Sequence, residues 1–206
     1  MRRELPVSIL LTLAIACSSS NPEADGSEAP ADAAVQAPVA KGAQAVAYFA
    51  GGCFWGVEFF LENIEGVYAV ESGYMGGHIK NPSYAQVTGK RSGHLETVRV
   101  RYDPAKVDYE TLARRFFEIH DPTQADGQGP DLGPQYRSAV FVRNDAERAE
   151  VEGLISRLKK RGYAVVTAIK PGAPFYEAEA YHQDYYLRTQ KKPYCHAPVD
   201  RFGDGG

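Results

Sequence analysis

The sequence predicts an α+β fold: a ferredoxin-like two-layer sandwich of order βαββαβ, with a mixed sheet and additional C-terminal helices and coil. Apolar residues alternate with a period of two over 45–50 and 97–102, and recur every three or four residues over 54–64 and 109–119. These strand and helix signatures take turns along the chain, which is the order a split βαβ sandwich needs.

In the first strand pattern Val46, Tyr48 and Ala50 alternate with Ala45, Ala47 and Phe49, and Gly51-Gly52 ends it. Phe54, Val57, Phe60, Leu61 and Ile64 then mark one face of a helix, so Cys53 falls at or beside a helix N-terminus. Gly66 to Gly73 reads as a strand. The polar, turn-rich stretch from His78 to Gly93 reads as a functional loop. Val98, Val100 and Tyr102 against Thr97, Arg99 and Arg101 form a half-buried strand stopped by Asp103-Pro104. Asp108 caps a helix whose apolar face is Tyr109, Leu112, Ala113, Phe116, Phe117 and Ile119. After His120-Asp121-Pro122, a Gly/Pro/Asp-rich loop leads to a short strand, Ala139 to Val142. A helix from Ala146 to Lys160 follows, with Asn144 as its cap and Val151, Leu154, Ile155 and Leu158 as its stripe. A strand at Ala164 to Ile169 and a helical stretch near Glu177 to Gln190 precede Lys191-Lys192-Pro193-Tyr194-Cys195-His196 and a frayed Gly-rich tail.

The 206 residues are 44% hydrophobic, enough for one catalytic domain, read as 44–196, with a flexible tail over 197–206. A net charge of −3, with both signs mixed along the chain, argues against a nucleic-acid partner, and nothing demands more than a monomer. Residues 1–16 read as a signal peptide. Arg2 and Arg3 precede an apolar run, Leu5 to Ala16, too short to span a bilayer. Ala14-Ile15-Ala16 suits ordinary signal cleavage. The following Cys17 also resembles the lipidated cysteine of a bacterial lipobox, although the usual leucine stands one position early, at Leu13. Residues 17–43, rich in Ser, Ala, Pro and Asp, read as a disordered lipoprotein-like tether, which favours lipidation at Cys17. The expectation is an exported bacterial protein, lipid-anchored in the cell envelope or periplasm.

If Cys17 is an anchor, Cys53 and Cys195 remain as a pair, either a structural bridge or a redox couple. At a helix N-terminus, free N–H groups and the helix dipole favour a Cys53 thiolate, so a depressed pKa is expected. Gly51 and Gly52 would let backbone approach a ligand closely, and Phe54 and Trp55 offer an apolar wall beside the sulfur. The bland alternative is an inert buried cysteine. Glu96, Tyr84, and Asp131 with Tyr136 are the polar groups that could accompany it. Taken singly, each has an ordinary reading: a solvated carboxylate, a packed ring, a loop aspartate bonded to its own backbone.

Taken together, Gly52-Cys53-Phe54-Trp55-Gly56, Gly73-Tyr74-Met75-Gly76-Gly77, Asn81-Pro82-Ser83-Tyr84, Gly93-His94-Leu95-Glu96, Tyr102-Asp103-Pro104, His120-Asp121-Pro122-Thr123, Asp131 to Ser138 and Tyr181-His182-Gln183 form one pattern. It resembles the A-type peptide methionine sulfoxide reductases over roughly Val46 to His196. The resemblance implies a ferredoxin-like α/β sandwich and a thiol-dependent reductase of the S epimer of methionine sulfoxide in oxidised proteins. It implies that Cys53 attacks the sulfoxide sulfur and Glu96 protonates the oxygen. Tyr84 and Tyr136 would hydrogen-bond that oxygen, Asp131 would bind the substrate backbone or order the site, and Phe54 and Trp55 would enclose the methyl group. Cys195 would resolve the resulting sulfenic acid, and an external thioredoxin-like dithiol would restore the thiols, with no cofactor. Here the chain reads Lys192-Pro193-Tyr194-Cys195, shorter than the family's Asn-Pro-x-Gly-Tyr-Cys and without its glycine.

His94-x-Glu96 is shared with zinc deaminases, but their Pro-Cys-x-x-Cys is absent, and no Cys-x-x-Cys supports a thioredoxin-like enzyme. The non-enzymatic alternative is an exported binding lipoprotein with a structural Cys53–Cys195 disulfide.

Overall fold

The computed structural model describes residues 44–203. Its elements are β1 (Ala45–Ala50), α1 (Phe54–Leu61), β2 (Val67–Met75), α2 (Tyr84–Thr88), β3 (Leu95–Tyr102) and α3 (Tyr109–Ile119). A small hairpin, β4 (Gly127–Gln128) and β5 (Asp131–Leu132), and a 3-10 turn over Pro134–Tyr136 lead into β6 (Ala139–Val142). Then come α4 (Asp145–Lys160), β7 (Ala168–Pro171), β8 (Phe175–Glu177) and α5 (Tyr185–Thr189). The residues read as signal peptide, Cys17 and the whole 17–43 tether lie outside the described residues.

The main sheet has the order β7-β6-β1-β3-β2-β8. Its four inner strands, β6-β1-β3-β2, are antiparallel throughout, the split βαβ arrangement that the element order predicts. β7 adds parallel to β6, and β8 adds antiparallel to β2, so the sheet is mixed. Strand parity sorts the side chains between faces. Ala45, Ala47 and Phe49 of β1 and Val98, Val100 and Tyr102 of β3 join one core with α1, α3 and α4 residues such as Val57, Leu61, Leu112, Phe116, Leu154 and Leu158. Tyr48, Ala50, Met75, Leu95, Ala139 and Phe141 form a smaller cluster on the other face. Glu96 has the parity of Val98 and Val100 and therefore points under the helical layer.

The helices begin where the sequence places their caps. The Asp108 carboxylate accepts from the Thr111 N–H at 2.8 Å, and the Asn144 side chain from the Glu147 N–H at 2.9 Å. Each such cap is worth about 1 kcal/mol. The loop from His78 to Gly93 contains a helix, α2, started by a capping box in which Ser83 and Gln86 satisfy each other's backbone N–H. This five-residue helix is too short to show a helical stripe.

Three expectations in the C-terminal third are corrected. The strand expected over 164–169 forms at Ala168–Pro171, because pairing starts only where Ala168 meets Ala139 of β6. The helix expected near 177–190 shrinks to α5: Glu177 closes β8, which pairs with Gly73–Met75 at the edge of β2, and 178–184 are coil and turn. The frayed tail is tied down through Phe202. That ring is only 3% exposed, and the guanidinium groups of Arg114 and Arg157 each lie 5.0 Å from its centroid. The Val199 N–H donates to the Glu118 carbonyl at 2.8 Å, and Arg201 Nε to the Phe117 carbonyl at 3.0 Å. Aromatic burial and cation–π contact thus hold a segment whose polarity reads as coil. Phe202→Ala should lower unfolding free energy by about 3 kcal/mol. Urea denaturation of the variant checks this, and an unchanged midpoint would show the anchor to be idle.

Candidate active site

α1 starts without help from its own cap residue. Cys53 is the N-cap and makes no side-chain cap bond. The first helical N–H, that of Phe54, donates instead to Glu96 Oε2 of β3 at 3.2 Å. Cys53 and Glu96 are therefore brought together at the N-terminal end of α1, 6% and 2% exposed respectively. Gly52 makes the approach to this turn, with φ of +101°, and a Cβ there would collide with the Gln128 side chain. Its bareness thus serves packing against the 127–132 hairpin, rather than the ligand approach expected from the sequence.

The charge balance differs from expectation. The neighbouring Cys195 thiol, then burial, push the Cys53 thiol well up, and the Trp55 N–H draws it only part of the way back. The expected depressed pKa fails because desolvation and the second sulfur outweigh one helix N–H. Burial, then the field of Cys53, raises the Glu96 carboxyl well above its ordinary value, against the pull of the Phe54 N–H. Both shifts favour the neutral forms, a thiol beside an acid that keeps its proton to higher pH than an ordinary carboxyl. The oxygen that accepts from Phe54 holds the carboxyl in place, leaving its proton free to be given elsewhere.

Tyr84 opens α2, and Tyr136 closes the 3-10 turn. Burial and the field of Glu96 raise both phenols, and a hydrogen bond with Tyr136 partly offsets this at Tyr84. Two protonated hydroxyls therefore neighbour the carboxyl. Phe54 is 1% exposed, its ring 5.9 Å from that of Tyr74, and its position is structural as much as ligand-facing. Trp55 is half-buried and stacks on Tyr185 with centroids 3.7 Å apart, so it is the better candidate for the apolar wall.

On the other side, the sulfurs of Cys53 and Cys195 and a carboxylate oxygen of Asp131 all lie within 4.8 Å of one another. Both cysteines are free thiols. The Tyr194 hydroxyl reaches both Asp131 oxygens, at 3.0 and 3.1 Å. Of the two roles expected for Asp131, ordering the site is the one its contacts display. Cys17 lies outside the described residues.

Several residues of this site had no role assigned from sequence, although His182 stands in the Tyr181-His182-Gln183 motif and His196 in the C-terminal run. Glu179 accepts from the Tyr84 N–H at 2.8 Å and from the Tyr74 hydroxyl at 2.9 Å, fixing α2 against β2. His182 accepts from Trp55 Nε1 at 3.1 Å and lies with its ring 4.5 Å from that of Tyr84. His196 adjoins the Cys195 sulfur, at 3.0 Å. Only the proximity of Tyr194 and His196 to Cys195 in sequence could have signalled them; Glu179 and His182 are brought in by the chain's return along β8.

A buried cysteine at a helix start, a buried acid with a raised pKa, two phenols and a second thiol define a thiol oxidoreductase that acts on a polar, electrophilic group. A family model described as peptide methionine sulfoxide reductase matches residues 45–204. The chain is 50% identical over 155 residues to "Peptide methionine sulfoxide reductase MsrA 1" of Rhodopirellula baltica, covering 75% of this chain and 81% of that protein. It superposes on reduced Mxr1 from Saccharomyces cerevisiae with a TM-score of 0.72 and 32% identity, over 76% of this chain and 93% of that one. Methionine sulfoxide reductase A of Corynebacterium diphtheriae gives a TM-score of 0.65 at 32% identity, over 74% and 79%. Mxr1 is also solved in complex with Trx2, where the match has 23% identity and a TM-score of 0.52 over 76% and 91%. This chain belongs to the peptide methionine sulfoxide reductase family, MsrA type.

Because Glu96 is raised, the folded state holds a proton that the unfolded chain releases near pH 4.3, so native stability falls as pH rises from there to the raised value. Glu96→Gln removes that slope. Urea midpoints of the two proteins at a series of pH values should show the native chain losing ground to the variant as pH rises. A constant difference would mean that Glu96 is not perturbed.

Proposed function

We propose that this chain reduces the S epimer of methionine sulfoxide in oxidised proteins. The observation that carries the reading is the buried Glu96 carboxyl, its pKa raised by burial, held at the start of the helix that bears Cys53. The Cys53 sulfur attacks the sulfoxide sulfur while Glu96 gives its proton to the oxygen, and Tyr84 and Tyr136 donate hydrogen bonds to that oxygen. The protonated oxygen passes to the Cys53 sulfur as the substrate S–O bond and the transient Cys53–substrate sulfur bond break, so methionine leaves and Cys53 becomes a sulfenic acid; the Cys53 proton replaces the one Glu96 gave. The substrate sulfur gains two electrons, and Cys53 loses two. Trp55, with the edge of Phe54, packs against the methyl group, and Asp131 keeps the Tyr194–Cys195 segment beside the sulfur.

Cys195 then condenses with the sulfenic acid to a disulfide, releasing water. The approach within 4.8 Å supports this role. A thioredoxin-type dithiol reduces the disulfide; a yeast relative solved with Trx2 supports that class of donor. All electrons come from thiols, so the reading requires no bound cofactor. The reduced chain, given each sulfoxide epimer without reductant, should form one methionine per chain from the S epimer and lose both thiols. Glu96→Gln should slow methionine formation about 10²- to 10⁴-fold. Cys195→Ser should give one turnover and then stall, and undiminished cycling with thioredoxin would remove Cys195 from the mechanism. No methionine from either epimer in a folded sample would overturn the whole reading in favour of a binding lipoprotein.

Export and lipid anchoring through Cys17 are part of the same proposal, supported by the Arg2-Arg3 start, the short apolar run and the Ser-rich stretch that follows. Expressed at full length in a bacterium, the chain should fractionate with membranes, and Cys17→Ser should release it to the soluble fraction. A soluble native chain would favour ordinary signal cleavage.

A further inference from the structure

The imidazole beside Cys195 is held from two directions. His196 Nε2 lies 2.7 Å from the Gly51 carbonyl, and Nδ1 lies 3.0 Å from Cys195 Sγ. A carbonyl can only accept, so Nε2 carries the hydrogen, and in the neutral ring Nδ1 is left as the acceptor that faces the Cys195 thiol. The ring is 5% exposed and fills the space above Gly56, where a Cβ would collide with Nδ1. Its orientation is therefore fixed by the same glycine-rich turn that carries Cys53. Burial lowers its pKa to about 4, opposed by the Gly51 bond and by Asp131, so the ring is neutral at pH 7. The Asp131 carboxylate, itself within 4.8 Å of both sulfurs, is the counter-charge for a transient imidazolium.

We propose that His196 is the general base of the resolving step, taking the Cys195 thiol proton at Nδ1 as Cys195 attacks the oxidised sulfur of Cys53. The Cys195 sulfur pair forms the S–S bond, the Cys53 S–O bond breaks, and the proton passes from Nδ1 to the departing oxygen, which leaves as water. Cys195 is oxidised and the sulfenic sulfur reduced, with no further reactant. This rests on the reductase reading with Cys195 as resolving residue and gives the second chemical step its own base, separate from Glu96, the acid of the first.

The test is rapid-quench single turnover of the full reduced chain with the S sulfoxide, following methionine release, thiol loss and trapping of sulfenic acid by a dimedone reagent. His196→Gln keeps an N–H for the Gly51 carbonyl but no acceptor at Nδ1, and His196→Asn offers an acceptor that cannot take a proton. Both should still release one methionine per chain. Disulfide formation should slow about 10²-fold, with trapped sulfenic acid rising in its place. Free imidazole added to His196→Ala should speed disulfide formation in proportion to its concentration, which a packing role would not allow. Native-rate disulfide formation in either variant, or no response to imidazole, would overturn the proposal. So would loss of the methionine burst in both folded variants, since it would place His196 in the first step. Absence of methionine from the native chain is a separate failure, that of the reductase reading, and is seen before any variant is made.

Discussion

A single backbone donor joins the two halves of the chemistry. The Phe54 N–H at the start of α1 has no partner within its helix, and the helix's own cap residue, Cys53, supplies none. Glu96 supplies it from β3, reaching across from the strand that lies beside β1 in the sheet. Were the carboxyl elsewhere, α1 would begin over an unsatisfied buried donor; were α1 elsewhere, Glu96 would be a buried acid with no partner. The contact sets the placement of Cys53 relative to Glu96; the Cys195 thiol and burial raise the pKa of the one, and burial that of the other. Helix start, acid and thiol are thus one structural unit.

The sheet supplies that unit with its walls. Tyr74 stands opposite Glu96 in the β2–β3 register, packs on Phe54, and is fixed by Glu179. Glu179 also holds the backbone of Tyr84, so the phenol that neighbours the acid is located by a residue from the returning C-terminal segment. β8 makes that return by pairing at the free edge of β2, which also protects an open strand edge. From there the chain lays Tyr185 on Trp55 and then brings Tyr194, Cys195 and His196 to the opposite side of Cys53. The ring that backs Trp55 and the second thiol come from one continuous segment with little regular structure.

That segment suits the redox cycle. In the proposed cycle the sulfurs would close from a separation within 4.8 Å to about 2.05 Å. Cys53 is set in a turn packed against Gln128, whereas Cys195 sits in coil held by side-chain bonds from Tyr194 and His196. The movement therefore falls to the coil. The second thiol and burial raise the Cys53 thiol, and burial raises the Glu96 carboxyl beside it.

The sequence by itself determined the sandwich, because period-two and period-3.6 patterns report which face of each element leaves water, and β1, α1, β3, α3 and α4 are long enough to show them. It also determined that Cys53 begins a helix. The even-numbered parity of Glu96 with Val98 and Val100 already carried its burial, although a carboxylate at a strand start reads as solvated when taken alone. Tertiary structure decided everything that depends on desolvation and on contacts distant in sequence. It raised Cys53 where the helix dipole argued for a lowered value, since the balance between a dipole and burial is fixed only by what surrounds the sulfur. It drew Phe175–Glu177, just ahead of the expected helix, into β8, because an open strand edge offers backbone bonds that local propensity does not register. It placed Glu179, His182 and His196 around the site, and it buried Phe202 between two arginines, since a ring in a polar tail has no apolar neighbours until the fold supplies them.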